Sequence, residues 1–79
     1  MTQPAEVAIL DLLSKAGSGK SIGPEQAARA MDAENWHRAL PRVKEAAKGM
    51  ARAGTLVILR HNKAADPDRF KGVWRMRLP

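Results

Sequence analysis

Cysteine and tyrosine are both missing from this 79-residue chain, and its aromatics are two tryptophans and one phenylalanine. Without cysteine, neither a disulfide nor a thiolate zinc site can staple the fold, so a packed core must hold it. So few rings leave little for unpaired bases to stack on, which weighs against RNA as a partner. Long apolar runs are missing too, and nothing approaches the roughly 18 apolar residues that a membrane span needs. No basic stretch precedes an apolar one at the N-terminus, where Asp11 interrupts Val7-Ala8-Ile9-Leu10. The expected location is therefore cytoplasmic, with no membrane partner. Length excludes more: about 100–200 residues make an ordinary domain, so residues 1–79 are expected to form one. A TIM barrel or a dinucleotide-binding sheet does not fit. Apolar residues at 44% and charged ones at 28% are the composition of a folded domain rather than a disordered one.

What the chain has in excess is basic charge, and in one half. Fourteen Lys and Arg stand against eight Asp and Glu, for +6 overall. Residues 1–34 hold three basic groups against five acidic ones, a net −2, whereas residues 35–79 hold eleven against three, a net +8. That asymmetry points to a polyanion partner for the second half.

Apolar spacing divides the chain into elements. Ile9, Leu12, Leu13 and Ala16 recur at helical intervals, so residues 5–16 read as a first helix. Pro4 suits its first turn, with Thr2 or Gln3 before it, and Gly17-Ser18-Gly19 ends it. Lys20-Ser21-Ile22 has room only for a short strand. Gly23-Pro24-Glu25 opens a second helix, with proline first and an acid in the positive first turn. Ala27, Ala28 and Met31 form its small apolar face, and Asp32-Ala33-Glu34-Asn35 breaks it. The third and longest helix carries the stripe Trp36, Leu40, Val43, Ala47, Met50 and Ala51 and stops at Gly54. Pro41 removes one internal hydrogen bond, so a turn at 36–40 is expected to bend into a main helix over 41–53.

After Gly54 the period changes to two. Thr55-Leu56-Val57-Ile58-Leu59-Arg60 reads as a strand, and in Val73 to Leu78 Trp74, Met76 and Leu78 alternate with Arg75 and Arg77. With Leu56 and Ile58 inward, Val57 and Leu59 are left outside as an exposed apolar pair. Asp66-Pro67-Asp68 signals a turn, and a hairpin with a twelve-residue tip from His61 to Gly72 is the simplest link. The order helix-strand-helix-helix-strand-wing-strand is that of a winged helix-turn-helix domain, an α+β class with three helices and a small antiparallel sheet.

Several chemistries drop out. Residues 14–21, SKAGSGKS, fall one residue short of a phosphate-binding loop, since Ser14 stands where the first glycine belongs. That loop also needs a helix starting at the lysine, and Gly23-Pro24 follows Lys20 too closely to allow one. His37 and His61 lie on different elements with no cysteine partner, too few ligands for zinc. No serine or histidine pairs with a recognisable acid, and so small a domain offers little room for a closed pocket. The expectation is a protein that is not an enzyme and carries no cofactor and no metal.

The third helix carries the informative constellation. Opposite its apolar stripe lie Arg38, Arg42, Glu45, Gly49 and Arg52, flanked by Lys44 and Lys48. Basic groups on the outer face of the second helix of a helix-turn-helix pair suit a phosphate-lined major groove, and arginine can also fork onto guanine. The hairpin tip adds Lys63, Arg69 and Lys71 as phosphate contacts of a mobile wing. The expected partner is therefore double-stranded DNA, in a regulatory or accessory role. The competing expectation is a docking or weakly dimerising module with no nucleic-acid role, using the exposed Val57 and Leu59.

Residues spread over four elements resemble a known family. They are Gly19-Lys20-Ser21-Ile22, the run Pro24 to Ala30, Trp36 with Pro41 and Val43, Ala53-Gly54, Asp66-Pro67, and Gly72 with Arg75-Met76-Arg77. Together they are similar to the small bacterial family called domain of unknown function 3253, from about Leu10 to Pro79. The chain departs from it at Gly23, where a cysteine is frequent, and at Val73, where a proline is. The resemblance implies a winged-helix fold and brings no activity, ligand or site residue with it.

Overall fold

A computed structural model describes residues 4–79, so Thr2 and Gln3 lie outside the described residues. Helix α1 (Pro4–Ala16) buries Ala5, Ile9 and Leu13. Its chain reverses at Gly17, whose φ of +90° is open to glycine and whose N–H donates to the Leu13 carbonyl at 3.1 Å. Strand β1 (Ser21–Ile22) follows, then α2 (Pro24–Met31). Gln26 reaches back over the α2 start, its Oε1 accepting the Gly23 N–H at 2.7 Å. Asp32 closes α2 and shapes the turn into the next helix. Its N–H donates to Ala28 at 3.0 Å, and its Oδ1 accepts the N–H groups of Glu34 and Asn35 at 3.2 and 3.0 Å.

Helix α3 (Trp36–Arg52) is one continuous element that contains Pro41. Pro41 is exposed in the second turn, and the buried Ala39 and Val43 on either side of it pack into the core. The buried line is Ala39, Val43, Ala46, Ala47 and Met50, with Trp36, Leu40 and Ala51 half-buried at its edge. At the end, Thr55 N–H reaches the Met50 carbonyl at 2.8 Å and Gly54 N–H reaches Ala51 at 3.1 Å around a φ of +80°. That pair of bonds is the Schellman closure glycine permits.

The sheet departs from the simple hairpin. Strand β2 (Val57–Arg60) turns at His61 and Asn62, with φ of +52° and +65°, straight into a fourth strand, β3 (Lys63–Ala64). Two left-handed residues between paired strands make a type I′ turn, which Asn tolerates. Strand β4 (Arg75–Arg77) then inserts between β1 and β2, giving the antiparallel order β1-β4-β2-β3. The architecture is thus α+β, three helices and a four-stranded antiparallel sheet, compatible with a winged helix-turn-helix fold. The twelve-residue tip does not exist as such, because β3 consumes its start.

The extra strand also overturns the exposed apolar pair. β2 is an interior strand, and Leu59 sits between its cross-strand partners Ala64 and Arg75 at 7% exposure, while Val57 is half-buried beside Arg77. Ile58 and Met76 pair on the opposite, inner face and close one core with Ile9, Leu13, Val43, Leu56 and Trp74. Among the described residues no helix is long and apolar enough to cross a membrane.

Candidate nucleic-acid interface

The outer face of α3 is basic, but its cations are not equivalent. Arg38 and Arg42 are exposed, and among the described residues neither takes part in a salt bridge. Arg42 lies over the junction of α3 with the α1 start and α2 end, lining a shallow groove with Pro4, Met31 and Pro41. Lys44, Lys48 and Arg52 each have a partner within the domain. The Lys44 ammonium stands 5.2 Å from the Phe70 ring centroid. Lys48 approaches Glu45 at 3.9 Å. Arg52 forks onto Asp68, its Nε donating to Oδ1 at 3.1 Å and its Nη2 to the same oxygen. That hydrogen bond, more than the bare charge, raises the Arg52 guanidinium above its ordinary value and holds the Asp68 carboxyl below the usual carboxylate range. Both side chains are well exposed, so the pair is a surface latch rather than a buried bridge.

Two of these partners, Phe70 for Lys44 and Asp68 for Arg52, belong to residues 65–74, which overlap the mobile tip expected from His61 to Gly72. That segment forms a strap packed along α3. Asp66-Pro67-Asp68-Arg69 turns tightly, with Asp68 N–H on Asp66 Oδ1 at 2.9 Å and Arg69 N–H on the Asp66 carbonyl at 3.1 Å. Phe70 is buried and tilts against Trp74, with ring centroids 5.2 Å apart. Arg60 closes the far end by donating to the Val73 carbonyl. Gly72 beside it has a φ of +79°. A Cβ there would come within 3.0 Å of the Arg60 guanidinium. The reason for the strap is apolar: an aromatic ring in a short polar segment gains more by joining the core edge than by remaining in water.

The basic residues of this segment stay outside the packing. Arg69 and Lys71 are exposed on the strap, and Lys63 is exposed on the β3 edge next to the His61-Asn62 turn. Among the described residues Arg38, Arg42, Lys63, Arg69 and Lys71 form no salt bridge, whereas Lys44, Lys48 and Arg52 each have a neighbour. Asp68 was read only as part of a turn signal, and neither its bond to Arg52 nor the Arg60–Val73 contact was expected. The aromatic at Phe70 was the one signal that the loop packs on something. Trp36 is half-buried and packed against the core, with the Arg29 guanidinium 4.7 Å from its ring and His37 stacked on it at 3.6 Å. Among the described residues no group of three or more His, Cys, Asp or Glu could hold a metal ion.

No curated protein matches the chain. The family described as Protein of unknown function (DUF3253) matches residues 2–79, and the chain belongs to it.

Proposed function

We propose that this domain binds double-stranded DNA, with α3 as the helix that enters the major groove and the β2-β3 turn and strap as phosphate contacts, in a regulatory or accessory role. The observation that carries this reading is the pair Arg38 and Arg42. They stand exposed on the second helix of a helix-turn-helix pair, and among the described residues neither is held in a salt bridge. Lys63, Arg69 and Lys71 supply sequence-independent charge on the same basic half of the chain. Lys44, Lys48 and Arg52 contribute less, because each must first give up a contact within the domain. The docking-module alternative is not favoured, since Leu59 is buried.

The test is a fluorescence-anisotropy titration of labelled duplex DNA at several salt concentrations. Each neutralised phosphate contributes about −0.9 to the slope of log K against log salt, so five free cations predict about −4.5. Replacing Arg38 and Arg42 together with alanine should weaken binding and reduce the slope to about −2.7 without changing the melting temperature. No binding at about 50 mM salt rejects the proposal.

A further inference from the structure

Five of the six glycines have a reason within the domain, and Gly49 has none. Gly17, Gly19, Gly54 and Gly72 adopt positive φ. Gly23 caps α2, and a Cβ there would meet the Arg75 guanidinium at 3.4 Å. Gly49, by contrast, lies inside α3 with ordinary helical geometry, on the exposed side, and a Cβ built on it would meet nothing within 4 Å. An alanine would fit. Glycine is the poorest non-proline choice in a helix interior, and in so short a chain that cost is felt. What glycine uniquely allows at such a place is close approach of another molecule to the helix backbone.

The neighbours say which molecule. Along the outer ridge the order is Arg38, Arg42, Glu45, Gly49, Arg52, at helical spacing, with Lys48 beside the gap. Arg42 and Arg52 bracket it about 15 Å apart along the axis. Glu45, one turn earlier, repels phosphate and accepts from a base amine, so the floor of a groove suits it better than the wall. We propose that a sugar–phosphate strand, the rim of the DNA major groove, crosses α3 at Gly49. It lies in the notch that the missing side chain leaves, where Arg52, released from Asp68, and Lys48, released from Glu45, turn onto its phosphates. This rests on the DNA-binding reading and adds where the backbone passes.

Gly49→Ala and Gly49→Leu test it, because fold and interface pull in opposite directions. Both replacements improve helix propensity, so the alanine variant should melt about 2–8 °C higher than wild type. Duplex affinity should fall by about 5- to 100-fold, more for leucine than for alanine, as a close contact is overfilled. A stabilised variant that binds DNA as tightly as wild type overturns the notch while leaving the DNA reading intact. Loss of effect from Arg38→Ala/Arg42→Ala, or no binding by wild type, overturns the DNA reading itself. If the variants change the elution volume of the free protein and not its DNA affinity, the notch seats a second copy and the proposal fails.

Discussion

Phe70→Ala separates a strap packed onto α3 from a loose loop tip. The ring is 9% exposed, leans on Trp74 at 5.2 Å, and has the Lys44 ammonium 5.2 Å from its centroid. Truncating a buried phenylalanine costs about 3–5 kcal/mol through lost transfer energy and the cavity left behind. Phe70 lies at the rim of the core, where the strap can settle into part of that cavity, so about 3 kcal/mol is expected. The cation–π contact is exposed and adds no more than about 0.5–1 kcal/mol to this. For a domain of this length each kcal/mol moves the melting temperature by about 4–8 °C, so the variant should melt roughly 12–24 °C lower. Urea unfolding followed by far-ultraviolet circular dichroism reads the free energy directly, and an unchanged slope certifies that the same surface is exposed on unfolding. A residue on a solvated tip would lose less than about 0.5 kcal/mol. A measured loss below about 1 kcal/mol therefore refutes the docked strap.

Asp68→Asn reports on the latch. Because Arg52 holds the Asp68 carboxyl below its ordinary value, the pair contributes stability above the usual carboxylate range and loses it as pH falls through the depressed value. The variant should melt below wild type near neutral pH, the gap should close in acid, and duplex affinity should rise because Arg52 is released. A gap that persists in acid counts against the ion pair. Replacing His61 with Asn and Asn62 with Gly installs the preferred pair of a type I′ turn and should add about 0.5–1 kcal/mol of stability by denaturant midpoint. A destabilised protein would show that β2 and β3 are joined in another way.

The three helices follow from information within a turn or two of each residue. The spacing of Ile9, Leu13, Val43, Ala47 and Met50 marks which faces are apolar. Pro24 marks where α2 starts, while Gly17 and Gly54 mark where α1 and α3 stop, and the structure agrees at each. The inward alternation of Ile58, Trp74 and Met76 was equally plain. A two-residue strand has no period to detect, so β3 escaped notice, and with it the fact that β2 is interior and Leu59 covered.

The candidate site divides along the same boundary. Which residues are basic and which face of α3 they occupy can be counted from the chain, because charge and helical angle are properties of single residues and their near neighbours. Which of those cations remain free depends on contacts made when distant segments meet. Asp68 lies 16 residues beyond Arg52, and Phe70 reaches Lys44 from the far side of the sheet-forming strands. No spacing rule couples such pairs. They form because the core draws Phe70 and Trp74 inward, and that pull lays an acidic turn against the end of α3. Charge and period were written locally, while the division of α3 into committed and uncommitted cations came from hydrophobic closure of the strap.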